Sequence, residues 1–148
     1  MKFKLLIFYF SFLILFLSSC GPGYKNKALR KLTPANQIKY QKYYIQGRDL
    51  YLANCSSCHQ ENGLGLKKLI PPLASSDYLQ NNQAASTQLI RNGATVSITV
   101  NGIAYTPTMP AHIKLTNLEI AEILTYINNS WGNEYGFVDA QKVKSYLK

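Results

Sequence analysis

Cysteine, histidine, methionine and acid are all scarce in this 148-residue chain. It has three cysteines, two histidines, two methionines counting the initiator, and seven aspartates and glutamates against sixteen lysines and arginines, for a formal net charge of +9. With one cysteine at position 20, Cys55 and Cys58 have no partner but each other or a bound group. The few soft ligands also argue against zinc. Four would have to come from Cys55, Cys58, His59 and His112, but His112 lies 53 residues beyond His59, and adjacent residues chelate one tetrahedral ion awkwardly. No βαβ pattern surrounds residue 55, as a thioredoxin-like redox pair would need. There is no internal repeat. The one long apolar run, residues 5–17, has thirteen residues, short of the roughly 20 needed to cross a bilayer.

That run follows the basic start "MKFK" and ends at "LSSC", which gives the charged, apolar and small-residue regions of a secretory signal. Residues 17–20, Leu-Ser-Ser-Cys, further resemble the lipobox of bacterial lipoproteins, in which Cys20 becomes the lipidated first residue of the mature chain. Each buried methylene contributes about 0.8 kcal/mol, and more than one acyl chain makes anchoring stable. The expectation is a protein exported to the bacterial cell envelope and tethered to a membrane without spanning it. Its signal peptide would cover residues 1–19, and a lipidated, basic tether residues 20–42. The tether carries Lys25, Lys27, Arg30, Lys31, Lys39 and Lys42 and no acid. Without Lys2 and Lys4 the formal charge falls from +9 to +7. An exported protein rarely meets nucleic acid, so an anionic lipid surface or an acidic protein suits this charge better.

The remainder reads as a mainly helical domain at residues 43–132 and a tail at 133–148. Tyr44, Leu50, Tyr51 and Cys55 fall near helical spacing, so a first helix runs into the first cysteine. "NGLG" breaks it, and a proline-marked loop leads to a short turn or helix. "NNQAASTQLIRNG" forms a second short helix closed by Asn92 and Gly93. Val96, Ile98 and Val100 alternate with polar residues before Asn101-Gly102, the signal of a β-hairpin over residues 95–105, inserted into a helical domain. Thr116-Asn117-Leu118-Glu119 is a capping box. It opens a helix whose apolar face is Ile120, Ile123, Leu124, Ile127 and Trp131, and which Gly132 stops. Asp139 caps a short amphipathic helix through Val143 and Leu147.

Chemistry concentrates in Cys55-Ser56-Ser57-Cys58-His59. Residues three apart in a helical turn share a face, so both sulfurs point the same way. Two thioethers to the vinyl groups of haem would bring His59 beneath the iron, which is the pattern of c-type haem attachment. A bare disulfide leaves the histidine unexplained. A sixth iron ligand would come from Met109 or His112. Methionine opposite histidine raises the reduction potential and favours cycling between ferric and ferrous states, and histidine would lower it. Met109, in a proline-rich loop about fifty residues after the first ligand, is the expected sixth ligand over His112.

Taken together, the chain resembles a monohaem class I c-type cytochrome from about Tyr43 to Gly132. The similarity lies in "Gly47-Arg48-Asp49-Leu50-Tyr51" leading into the haem motif, then "Pro71-Pro72-Leu73", "Met109-Pro110" and "Ile123-Leu124-Thr125-Tyr126". The resemblance implies an all-α fold around one covalently bound haem c, with the first and last helices crossing where Gly47 and Tyr51 meet Ile123 and Tyr126. It also implies that the carbonyl of Pro71, with Pro72 as rival, accepts a hydrogen bond from His59, and that Leu73 lines the haem. The hairpin insert and the lipid tether are not general in the family. The function implied is electron carriage between redox proteins. Lys67 and Lys68, close after the haem motif, suit partners acidic at their docking face. No titratable pair or nucleophile set beside the cofactor argues for an enzyme. The alternative is a haem sensor or peroxidase-like enzyme with an open or labile sixth position.

Overall fold

The structure is a computed structural model that describes residues 27–94, 96–106 and 109–148. The expected signal peptide, Cys20, the first residues of the tether and Thr95 lie outside the described residues.

After a 3-10 turn at Lys27–Lys31, helix α1 runs over Pro34–Asn54. It starts where a helix should. Thr33 accepts the Asn36 N–H on its side chain at 3.3 Å, and Pro34 occupies the first turn, where a missing N–H costs nothing. Residues 34–42, expected in the tether, are therefore the first turns of α1, and Tyr40 among them is buried. The helix stops at Asn54, and a separate turn, α2 at Ser56–His59, holds the second cysteine and the histidine. Cys55 joins the two, its carbonyl accepting the N–H groups of Cys58 at 3.2 Å and His59 at 2.9 Å.

Helices α3 (Asp77–Asn81) and α4 (Gln83–Asn92) follow the prolines, and Gly93 closes α4 as expected. The hairpin pairs β1 (Ile98–Val100) with β2 (Ile103–Tyr105) in antiparallel register, Val100 opposite Ile103. Val96 lies before the strand and is exposed.

Helix α5 (Asn117–Ile127) opens with the complete capping box. Ile120, Ile123, Leu124 and Ile127 are buried along it, each contributing about 1.5–3 kcal/mol. It ends four residues before Trp131, short of the sequence expectation. The reason is the polar run after Ile127. Side chains of Asn129, Ser130 and Asn133 donate to the carbonyls of Thr125, Tyr126 and Ile127 at 2.7 Å each, capping the end of the helix from outside it. Trp131 then takes φ +54 and stacks near Tyr51 and Tyr126, with ring centroids at 5.2 and 5.5 Å.

The first and last long helices pack on each other at Gly47. A Cβ there would fall 1.9 Å from the carbonyl oxygen of Glu122, so the backbones can meet only where the side chain is hydrogen. Tyr51 and Tyr126 pack beside the crossing with centroids 5.4 Å apart. The tail is part of the core. Asp139 caps α6 (Ala140–Tyr146), and Val143 and Val138 are buried with the α5 residues. The fold is thus all-α with one small hairpin, as the sequence led us to expect.

Candidate functional site: a cleft for a covalently held haem

The cleft lies between the α1–α2 junction, the proline loop, the hairpin and the loop before α5. Its outer part has a volume of about 820 Å³ with its open mouth and is lined by Cys55, Cys58, His59, Pro71, Met109 and His112. An inner part continues it past Leu73, Leu79, Val100 and Ile123 and is lined mostly by apolar side chains, as a cofactor site is. The sequence thus brings Cys55, Cys58, His59, Pro71, Leu73 and Met109 to one cavity, and His112 borders it too.

On one side, the ring of His59 is fixed by the proline loop. Its Nδ1 lies 3.1 Å from the Pro71 carbonyl. A carbonyl only accepts, so Nδ1 donates, and in the neutral ring Nε2 is the nitrogen without a proton. Burial lowers the pKa of His59 and favours that neutral form, against an opposing push from the Pro71 hydrogen bond. Pro71, not Pro72, makes this bond. Gly65 lets it form: at φ +65 its missing Cβ would sit 2.3 Å from the Ile70 carbonyl oxygen and 2.6 Å from that of Pro71. Leu66 and Ile70 pair across the same loop, and the Gly63 carbonyl accepts from Leu73 and Ala74 at 2.7 and 3.0 Å.

Met109 reaches the cleft from a segment bonded to the end of α4. Its carbonyl accepts the Ala94 N–H at 3.0 Å, and the His112 N–H donates to Ile90 at 3.1 Å. Gly93, at φ +75, makes the approach possible, because a Cβ there would lie 2.7 Å from the Met109 carbonyl oxygen. Sequence reasoning took Gly65 as a helix break and Gly93 as a cap. The closeness each permits depends on chain some five or more residues away. It also passed over Leu89 and Tyr105, which help line the cleft.

No disulfide joins Cys55 and Cys58. Burial, with the nearby Cys58 second, pushes the Cys55 thiol up to about 11, the reverse of the lowered value that marks a redox-active cysteine. Among the described residues no three metal-binding side chains of the His, Cys, Asp and Glu kind converge. A cysteine pair one turn apart, an oriented neutral imidazole and a nearby thioether in an apolar cleft fit haem c, with its sulfur attachment and its iron. Lys67 and Lys68 are exposed near the cleft, where the Lys67 carbonyl accepts from the Tyr105 hydroxyl at 3.3 Å.

Residues 44–131 match the family model described as Cytochrome c. The chain is 33% identical over 104 residues to cytochrome c-552 of Thermus thermophilus, covering 68% of this chain and 74% of that protein. It is 29% identical over 92 residues to the cytochrome c subunit of a quinone alcohol dehydrogenase from Gluconacetobacter polyoxogenes, covering 61% of this chain and 19% of that one. It thus spans about a fifth of the length of that dehydrogenase subunit. With more than half its length matched, the chain belongs to the cytochrome c family, and haem c is its covalently bound cofactor, which Cys55, Cys58 and His59 fit.

Proposed function

We propose that this protein is a one-electron carrier tethered to a membrane by acyl chains on Cys20, working on the non-cytoplasmic side of a bacterial envelope between redox proteins. Cys55 and Cys58 would hold haem c through thioethers, and His59 and Met109 would bind its iron. When bound, haem c supplies a ferric/ferrous couple, which a methionine sulfur opposite histidine moves to higher potential. The observation that carries this reading is the His59 Nδ1 bond to Pro71 in a cleft that Met109 also lines. The bond fixes the ring and makes its other nitrogen the better ligand. Leu73 and the other apolar residues of the inner cleft exclude water, which holds an electron carrier to electron exchange. Similarity to a quinone alcohol dehydrogenase subunit supports redox proteins as partners, and exposed Lys67 and Lys68 favour partners acidic at their docking face.

Two measurements test this. The mature chain should carry the mass of one haem plus acyl chains, and a mass without acyl chains would remove the tether. The ferrous protein should bind carbon monoxide slowly or not at all. Fast binding, or a high-spin ferric spectrum, would contradict a carrier and favour a sensor or a peroxidase-like enzyme.

A further inference from the structure

Beyond Cys20, the net charge of this protein is confined to one part of the chain. Residues 21–48 hold seven lysines and arginines and no acid, whereas residues 49–148 hold seven of each. The +7 that remains without Lys2 and Lys4 therefore lies entirely in the segment just after Cys20 and in the first two-thirds of α1.

That helix also has two apolar faces. Tyr40, Tyr43, Gly47 and Tyr51 are buried against the rest of the domain. On the opposite side Ile38, Ile45 and Leu52 are 59%, 57% and 37% exposed. Spaced by seven residues, they fall within about 40° of one line along the helix. An outward face of a surface helix is ordinarily polar. Lys42 stands between the isoleucines, and Arg48 flanks them. Lys39 turns aside to Asp139 at 3.8 Å, and Asp49 is the acid on this face, near its far end. None of Ile38, Ile45 and Leu52 lines the haem cleft.

Position selects the occupant. Pro34 stands fourteen positions after Cys20, a reach of at most about 50 Å, so acyl chains on Cys20 would hold this face at high effective concentration beside lipid headgroups. We propose that the outer face of α1 lies on an anionic bilayer, with Ile38, Ile45 and Leu52 in the headgroup boundary and the basic segment against lipid phosphates. The haem domain is then held in one orientation with its cleft uncovered. This rests on the lipidation of Cys20, and it differs from a domain that swings freely on a tether.

The test uses the full-length holoprotein on bilayers of phosphatidylcholine, with and without phosphatidylglycerol. Linear dichroism of the haem absorbance reads orientation, and co-sedimentation with vesicles reads attachment. The wild type should sediment with both lipids but show dichroism only with phosphatidylglycerol, and lose it as salt shortens the screening length. The double variant Ile38→Asp/Ile45→Asp should lose the dichroism. Ile103→Asp, at an exposed apolar position in the hairpin, should keep it, and haem content checks that each variant folds. Absence of dichroism in the wild type, or its full retention in the double variant, would overturn the proposal. If the chain lacks acyl mass and does not sediment with phosphatidylcholine alone, the Cys20 assignment fails. The helix face is still judged separately, by phosphatidylglycerol-dependent sedimentation and its loss in the double variant.

Discussion

The two sides of the haem cleft are built in different ways. The His59 side is local: within seventeen residues, the turn from Cys55 and the bond to Pro71, with Gly65 clearing space for that carbonyl, fix one imidazole. The Met109 side is made at a distance, by a segment bonded to the end of α4 through Ala94 and Ile90 and admitted by Gly93. The contrast teaches that a motif can specify one proposed ligand, whereas the other proposed ligand depends on the fold bringing separate segments together.

Breaking the frame that both sides share should have the largest effect. Gly47→Val puts a branched side chain where even a Cβ would lie 1.9 Å from the Glu122 carbonyl oxygen. It should cost about 3 kcal/mol, a large share of the roughly 5–15 kcal/mol by which a domain of this kind is stable, as read by denaturant melts and haem yield. Next come two substitutions that separate the sides. Gly65→Ala and Gly93→Ala should each cost about 1–3 kcal/mol from left-handed backbone strain and close contact. Resonance Raman of the haem should show the iron–histidine environment disturbed by Gly65→Ala and retained in Gly93→Ala. The sulfur-to-iron signature should behave the other way round. A shift of both signatures by either change would mean the sides are coupled rather than independent.

The smallest effect should come from outside the cleft. The Thr116 backbone N–H and hydroxyl bond Glu119 at 2.6 and 2.8 Å and hold its carboxyl below the usual range. A lowered carboxyl adds stability above the unfolded-state value, and that stability is lost as pH falls through the folded one. Thr116→Ala should therefore cost about 1 kcal/mol at neutral pH. The deficit should shrink below pH about 4, as denaturant titration at both pH values would read, with both haem signatures unchanged.

What the sequence made legible follows the same division. The haem motif, the capping box, the hairpin turn at Asn101-Gly102 and the caps at Asp139 and Gly93 are local signals, and each element formed where they point. The crossing at Gly47 and the Pro71 carbonyl were legible only through the family resemblance, and the structure decides for Pro71 over its rival Pro72. Two helix ends were misjudged because local polar signals went unread. α1 begins at Pro34, capped by Thr33, and its first turns are held by Tyr40 packing on Tyr44 and Phe137. α5 stops at Ile127 because Asn129, Ser130 and Asn133 satisfy its last carbonyls and release Trp131 toward Tyr51. Gly65 and Gly93 carry no local sign of what they accommodate, since the atoms they make room for come from other segments.

The claim that matters most is that iron sits between the locally made histidine and the distantly placed methionine. The ferric wild-type protein should show a weak methionine-to-iron charge-transfer band. Met109→Leu should lose that band while keeping one haem per chain, and His112→Ala should keep it. A band that survives Met109→Leu, or is absent from the wild type and altered only by His112→Ala, would contradict the account.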